Sequence, residues 1–258
     1  MAPDVKRFPG IRACIFDIDG LLINSKDIIT NSIDEILEKY EKPLLTPLIR
    51  AKLMGVPDSS NGDVFYDWAK LPISREKWAR ELKKQMYRNF PNFKPITGSE
   101  SLLGGLGCSQ NAIGNATKLA LASSAKTATY NLKPSNLETK QLFGNFKPEH
   151  RILGDDPRLR PGRGKPEPDI YLIALEALNA SAKPGEAPIT PSEYLVFEDS
   201  VVGVEAGRRA GMRVIWVPHP DSASVYCTME DKVLAGGTGR AAIENESQLG
   251  ELIIIGLN

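Results

Sequence analysis

A short apolar segment near the amino terminus, Ala13-Cys14-Ile15-Phe16, runs into two aspartates, Asp17 and Asp19, and then Gly20. An uninterrupted apolar run of this length predicts a strand that is buried on both faces, as in a parallel sheet. Ligands of α/β proteins bind beyond the carboxyl ends of such strands. Because side chains two positions apart point the same way along a strand, both carboxylates are expected to face one site. The segment therefore predicts an α/β protein whose functional site begins at Asp17.

The composition argues against several classes of protein. The 258 residues carry 32 basic and 32 acidic side chains, and this balance gives no support for a binder of nucleic-acid polymers or anionic membranes. No segment approaches the roughly 20 apolar residues of a membrane span, and the amino-terminal residues lack the pattern of a secretory signal. The cysteines Cys14, Cys108 and Cys227 show neither paired metal spacing nor an even disulfide count. These features predict a reducing compartment, the cytoplasm.

The pattern changes from strand-like to helical between Asn24 and about Phe90. Apolar residues recur there at helical spacing, Thr46-Pro47 predicts the start of a helix reaching Met54, and Ser74 predicts the start of another. After a proline-punctuated linker, short strands alternate with helices. This alternation predicts a doubly wound parallel sheet built from residues 1–23 and 96–258. Residues 24–95 are then a helical cap inserted after the first strand.

Further polar residues follow other predicted strands. Ser123 ends one strand, and Glu198 and Asp199 follow another. The carboxyl ends of parallel strands lie along one edge of the sheet, so these side chains are expected to converge with the first two aspartates. Clustered carboxylates favour a bound cation, and oxygen ligands suit Mg²⁺. A phosphate bound beside these acids also requires a nearby lysine, for which Lys165, in a glycine- and proline-rich loop before a predicted helix, is the best candidate.

Four segments resemble, in order, the four motifs of the haloacid dehalogenase-like (HAD) phosphohydrolases. They are Phe16–Leu22, Leu119–Ser123, Gly164–Asp169 and Phe197–Ser200. The helical insertion after the first motif is similar to that of the helical-cap subclass of the family. Within that subclass, Ile152–Pro157 resembles the pseudouridine-5'-phosphatase branch and its fungal relatives. The resemblance implies a Rossmann-like core with an inserted helical cap.

The resemblance also implies catalytic and phosphate-binding roles. Asp17 would be the nucleophile that forms an aspartyl phosphate, and Asp19 would be the general acid and base. Ser123, Ser124 and Lys165 would hold the phosphoryl oxygens and offset the charge that develops on them. An alternative reading of Ser124 is a residue that merely begins a helix.

The cofactor implied by the resemblance is Mg²⁺. Asp17, the backbone carbonyl of Asp19, and Asp199 would bind the ion. Glu198 would either bind it directly or orient the residues that do.

The function implied is that of a Mg²⁺-dependent phosphatase, a monomer or weak dimer, acting on a small phosphomonoester. A nucleotide or a sugar phosphate is expected, and pseudouridine 5'-phosphate is one candidate. Two alternatives are a phosphomutase of the β-phosphoglucomutase type and a non-catalytic phosphometabolite-binding protein. Asn24-Ser25-Lys26 departs from the Asp-Ser-Glu or Asp-Thr-Glu of many relatives. Because Lys26 reverses a charge at this position, the resemblance does not extend to the choice of substrate.

Overall fold

The computed structural model describes residues 9–54, 58–109, 114, 116–226 and 252–254. Six strands in these residues form one sheet in the order β3-β2-β1-β4-β5-β6, and every pair of neighbours is parallel. In chain order the strands are β1 (Ala13–Phe16), β2 (Lys118–Ser123), β3 (Arg151–Leu153), β4 (Tyr194–Glu198), β5 (Arg213–Trp216) and β6 (Leu252–Ile254).

Ten α-helices lie in the same described part of the chain. Four of them follow β1: α1 (Ser25–Lys39), α2 (Pro47–Met54), α3 (Asp58–Ala69) and α4 (Arg75–Asn89). The other six lie among the later strands: α5 (Ser99–Cys108), α6 (Thr127–Tyr130), α7 (Leu137–Gly144), α8 (Asp169–Ala180), α9 (Val201–Arg209) and α10 (Pro220–Tyr226).

Alternate residues of β1 enter two different apolar clusters. Ala13 and Ile15 pack with residues of α8 and α9, whereas Cys14 and Phe16 pack with residues of α5 and α7. Successive side chains of a strand point to opposite faces, so helices cover both faces of the sheet. The predicted doubly wound α/β fold is confirmed. Burial raises the pKa of the Cys14 thiol to about 12, as expected for a small apolar core residue.

The order of the strands places a crevice at the end of β1. This strand pairs with β2 on one side and with β4 on the other, so the chain reverses its direction of travel across the sheet there. In open α/β sheets, ligands bind beyond the carboxyl ends of the strands at such a switch point. Phe16, the last residue of β1, is level with Leu121 and Phe197 of the two neighbours. The residues that follow these three strands therefore lie side by side.

The helices that follow β1 have an apolar core of their own. It joins residues of α1, α2, α3 and α4, among them Leu37, Ile49, Phe65 and Trp78. The helix start predicted at Ser74 is confirmed, because the Ser74 hydroxyl accepts a hydrogen bond from the Lys77 amide at 3.2 Å. The helix predicted at Pro47–Met54 is confirmed as well.

Two backbone segments connect this helical unit to the sheet and pair with each other. The Asn24 amide donates to the Lys94 carbonyl at 3.1 Å, and Ile23 forms an isolated bridge with Pro95. The pairing lies next to the predicted cap boundaries at residues 24 and 95. The division into two domains at these positions stays a prediction.

The structure corrects one further sequence prediction, and others concern residues that it does not describe. The surface loop predicted from Gly107 begins later, because α5 continues to Cys108; residues 110–113 and 115 of that loop and Cys227 lie outside the described residues. No helix in the described part of the chain is long and apolar enough to cross a membrane.

Candidate active site

Six of the seven residues that the sequence selected line one cavity of about 440 Å³ at the carboxyl edge of the sheet. The six are Asp17, Asp19, Ser123, Ser124, Lys165 and Asp199. The seventh, Glu198, does not line the cavity and is fully buried. Ser123 is buried as well, and its hydroxyl accepts a hydrogen bond from the Ala125 amide at 3.3 Å. The predicted convergence of residues far apart in the sequence is therefore present.

The Lys165 ammonium is the centre of the buried part of the cluster. It lies 2.7 Å from Asp17 Oδ1 and 2.5 Å from Glu198 Oε1, and it donates to the Ala122 carbonyl at 3.0 Å. Burial opposes the charged form of Lys165, but the two carboxylates outweigh burial and hold its pKa well above the usual range. The lysine is thus fixed beside Asp17 as a permanent positive charge.

Both oxygens of Glu198 accept hydrogen bonds. Oε1 accepts from Lys165 and from the Tyr171 hydroxyl at 2.8 Å, and Oε2 accepts from the Asp199 amide and from the amide and hydroxyl of Ser200 at 2.9–3.0 Å. Burial opposes ionisation, yet Lys165 and these donors keep the pKa of Glu198 below its usual value. Glu198 therefore orients Lys165 and the turn after β4.

Gly203, on the first turn of α9, has no room for a side chain. A Cβ there would overlap the Glu198 carboxylate, which cannot move without breaking the bonds just described. We expect Gly203→Ala to lower the free energy of unfolding by about 1–3 kcal/mol and to reduce catalytic activity. Chemical denaturation with an activity assay would measure both effects.

The matched control for this substitution is Gly104→Ala. Gly104 is also inside a helix, α5, but a Cβ there meets no atom within 4 Å. Alanine should therefore raise the free energy of unfolding by about 0.5–1 kcal/mol. Equal effects of the two substitutions would contradict the packing argument at Gly203.

Asp19 is held by three different groups. Its backbone amide donates to Asp17 Oδ2 at 2.9 Å, which ties the two aspartates together. Its own Oδ1 accepts from the Ser25 hydroxyl at 2.5 Å and from the Lys133 ammonium. Burial opposes ionisation of Asp19, but Lys133 and Ser25 keep its pKa below the usual value.

Asp199 lines the same cavity as Asp17 and Asp19. Its Oδ2 contacts the Lys26 ammonium, and its backbone carbonyl accepts from the Trp216 indole at 3.1 Å. Burial raises the pKa of Asp199 to about 7, with Lys26 opposing that rise, and raises the pKa of Asp17 to about 6, with Lys165 opposing it. Burial thus makes Asp17 and Asp199 costly to ionise, even though each contacts a lysine ammonium.

These two carboxylates fit a divalent cation. The described residues contain no group of three or more His, Cys, Asp or Glu side chains arranged to hold a metal. Mg²⁺, however, needs only one or two carboxylates, because it keeps several water ligands. A cation between Asp17 and Asp199 would relieve the electrostatic cost of burying both. The donor set therefore fits Mg²⁺, provided that Lys26 moves off Asp199.

Some residues of the cluster were missed by sequence reasoning. Lys133 matches no motif and lies in the turn after α6, where nothing in the local sequence indicates a buried lysine. Tyr171 falls on the apolar stripe of α8, and only its hydroxyl hints at a polar partner. Lys26 stood out as a reversed charge, but its contact with Asp199 spans 173 positions of sequence.

The wall of the cavity opposite the sheet is mainly apolar. It includes Ile29, Ile33, Leu45, Leu53, Met86, Phe90 and Phe93. Two contacts join the helical unit to the core at the rim: Arg50 of α2 with Asp221 of α10 at 3.1 Å, and Asp27 of α1 with His219 at 3.2 Å. The helices that follow β1 therefore form one wall of the cavity.

Known proteins share both the sequence pattern and the fold. A protein of Saccharomyces cerevisiae named "Probable pseudouridine-5'-phosphatase" is 35% identical over 227 residues, which cover 88% of this chain and 90% of that protein. The (DL)-glycerol-3-phosphatase 1, mitochondrial, of Arabidopsis thaliana is 32% identical over 86% of this chain and 68% of its own length.

A solved structure gives the same result for the fold alone. The crystal structure of a haloacid dehalogenase-like protein of unknown function from Agrobacterium tumefaciens superimposes with a TM-score of 0.67 at 22% identity, covering 95% of this chain and 93% of that one. The sequence model of the haloacid dehalogenase-like hydrolases matches residues 14–217. The chain therefore belongs to the haloacid dehalogenase-like hydrolases, as its four sequence motifs predicted.

Proposed function

We propose that the protein is a Mg²⁺-dependent phosphatase that hydrolyses a small phosphomonoester through an aspartyl phosphate on Asp17. It is a hydrolase of the phosphoric monoester type, consistent with its family and the names of its relatives. The observation that carries the mechanism is the placement of Asp17 between Lys165 and the Asp19 amide, in the lining of one cavity.

The first chemical step joins Asp17 to phosphorus. A carboxylate oxygen of Asp17 attacks, the bond from phosphorus to the ester oxygen breaks, and that oxygen leaves with a proton from Asp19. Asp19 must therefore carry this proton in the substrate complex, although Lys133 and Ser25 favour its ionised form. In the second step Asp19 takes a proton from water, the water oxygen attacks the same phosphorus, and the bond from phosphorus to the Asp17 oxygen breaks, which releases inorganic phosphate. Asp17 and Asp19 are then restored to their starting forms.

The phosphoryl group is held by residues at the ends of β2 and in the loop before α8. Ser123 and Ser124 supply hydrogen-bond donors, and Lys165 supplies a positive charge against the phosphoryl oxygens. Glu198 fixes Lys165 from behind the cavity, because it is fully buried and binds the same ammonium. We assign Glu198 to this positioning; direct ligation of the metal by Glu198 stays a sequence prediction.

Mg²⁺ would be held by Asp17, Asp199 and the backbone carbonyl of Asp19. When bound, the ion neutralises charge on the phosphoryl group and so lets an anionic substrate approach the carboxylates. The role of this chain is to keep the two carboxylates in place: Glu198 and Trp216 hold Asp199 through the turn after β4, and Lys165 and the Asp19 amide hold Asp17.

The substrate proposed is a small molecule such as a nucleotide or a sugar phosphate. A cavity of about 440 Å³ suits a ligand of that size. The names of the relatives, pseudouridine-5'-phosphatase and glycerol-3-phosphatase, support a small phosphomonoester without selecting one. The apolar wall favours a leaving group that buries some apolar surface.

The test is phosphate release from a panel of phosphomonoesters, with Mg²⁺ and with a chelator. The panel includes pseudouridine 5'-phosphate, glycerol 3-phosphate, sugar phosphates and common nucleotides. We expect release that depends on Mg²⁺ and strongly favours one compound. Folded protein that releases no phosphate from any compound with Mg²⁺ present would overturn the phosphatase, leaving the mutase and the non-catalytic binding protein.

A further inference from the structure

We propose that Lys133 is a positioning residue that, together with Ser25, holds Asp19 Oδ1 and leaves Asp19 Oδ2 as the atom that exchanges a proton with the leaving group. The inference rests on the proposed function and deepens it by assigning a role to a lysine outside the four motifs. It concerns which atom of the general acid moves the proton, and which side chains fix that atom.

The first argument is the arrangement of hydrogen bonds around Asp19. The Ser25 hydroxyl and the Lys133 ammonium both donate to Oδ1. The hydrogen bonds of the described residues include none to Oδ2, although the Asp19 side chain is 25% exposed and lines the cavity. The side chain of Asp19 is therefore held through Oδ1, and Oδ2 is the oxygen left to meet a substrate in the cavity that this residue lines.

The second argument is the burial of Lys133. Its side chain is only 4% exposed, and in the described part of the chain Asp19 is the carboxylate it contacts. Burying an ammonium group is costly unless it is paired, so this contact has the geometry of a fixed support rather than a solvated surface pair. The Phe93 ring, with its centroid 6.0 Å from the ammonium, closes the other side.

The third argument is that Ser25 and Lys133 approach Asp19 from different elements. Ser25 is the first residue of α1 and is fully buried, while Lys133 lies in the turn after α6. Two donors fixed by separate parts of the fold restrain the rotation of the carboxyl group more than one would. Proton transfer depends on such alignment, because the acid must lie within hydrogen-bond reach of the ester oxygen.

The test compares two substrates that differ in their need for a proton. An alkyl phosphate such as glycerol 3-phosphate leaves as a strongly basic alkoxide, whereas p-nitrophenyl phosphate leaves as a stable anion without protonation. We expect Lys133→Met to lower kcat/KM for the alkyl ester about tenfold or more, and to change that for the aryl ester by less than about threefold. Asp19→Asn should show the same difference between substrates at larger size.

Two further variants keep the result interpretable. Ser25→Ala removes only one buried oxygen and takes the place of Lys133→Met if that variant does not fold. It should likewise lower kcat/KM for the alkyl ester more than for the aryl ester. Adding Lys133→Met to Asp19→Asn should cause little further loss, since the residue acts through Asp19. Lys140→Met, an exposed lysine on α7, controls for the removal of one positive charge and should leave both activities unchanged.

Equal losses for the two esters would overturn the positioning role, because a purely structural or general electrostatic effect does not depend on the leaving group. An additive loss in the double variant would overturn it as well. Folded wild-type protein that releases no phosphate from these two esters or from any compound of the panel above would instead overturn the proposed function itself, so the two failures are distinguishable.

Discussion

Asp17→Asn should abolish turnover while the protein remains folded. The amide nitrogen cannot attack phosphorus as a carboxylate does, so the covalent intermediate does not form. Loss of a nucleophile typically lowers kcat by more than about 10³-fold. The substitution keeps the shape of the side chain and removes a buried carboxylate whose pKa burial already raises to about 6. Steady-state phosphate release and thermal unfolding, measured on the same preparation, check both parts.

A trapping experiment separates the loss of the nucleophile from a general loss of binding. Wild-type enzyme quenched in acid during turnover should carry one phosphoryl group on the peptide that contains Asp17, and the variant should carry none. Asp63→Asn on the surface of α3 is the matched control and should retain full activity. Activity of Asp17→Asn near that of wild type would remove Asp17 from the nucleophile's role.

The elements that position the site were predictable because they depend on local pattern. The apolar run before Asp17 indicates a buried strand whatever the partner strands are, and both neighbours of β1 have the same character. Polar residues directly after such strands necessarily meet at one edge of a parallel sheet. This reasoning identified Asp17, Ser123 and Glu198 as neighbours without any contact information.

The contacts around the carboxylates were less predictable because they join distant segments. Lys133 and Asp19 are separated by 114 positions, and the lysine reaches the cluster only because the turn after α6 folds over the end of β1. A single lysine in a turn is usually solvated, and no periodicity distinguishes a buried one. The same limitation applies to Arg50 and Asp221 at the rim of the cavity, 171 positions apart.

The sequence limits Glu198 to two possible roles but does not choose between them. Its position after β4 is common to a metal ligand and to a residue that orients the site. The distinction depends on the partners of its two carboxylate oxygens. In the structure Oε1 accepts hydrogen bonds from Lys165 and Tyr171, and Oε2 accepts from the turn that follows. A carboxylate occupied in this way is better suited to positioning, which is why we propose that role.

Asp199→Asn should weaken Mg²⁺ binding and activity together. Asp199 supplies one of the two buried carboxylates proposed to bind the ion, and an amide oxygen is a weaker, uncharged ligand for a hard cation. We expect Mg²⁺ affinity to fall at least about 10–100-fold, the range found when groups supporting a metal site are removed. Binding of Mn²⁺, followed by electron paramagnetic resonance without substrate, measures this independently of turnover. An unchanged metal titration would exclude Asp199 as a ligand.

Lys26→Met should change metal affinity in the opposite direction. The Lys26 ammonium contacts Oδ2 of the Asp199 carboxylate, which a bound cation would also need. The two positive charges therefore compete for one carboxylate. A hydrogen bond between charged groups contributes about 1.5–3 kcal/mol, and removing the competitor should tighten Mn²⁺ binding about tenfold or more. The metal-free variant should also unfold at lower temperature, because Asp199 loses its counter-charge, and added Mg²⁺ should stabilise it more than it stabilises wild type. Weaker Mn²⁺ binding in this variant would mean that Lys26 supports the metal site rather than competing for it.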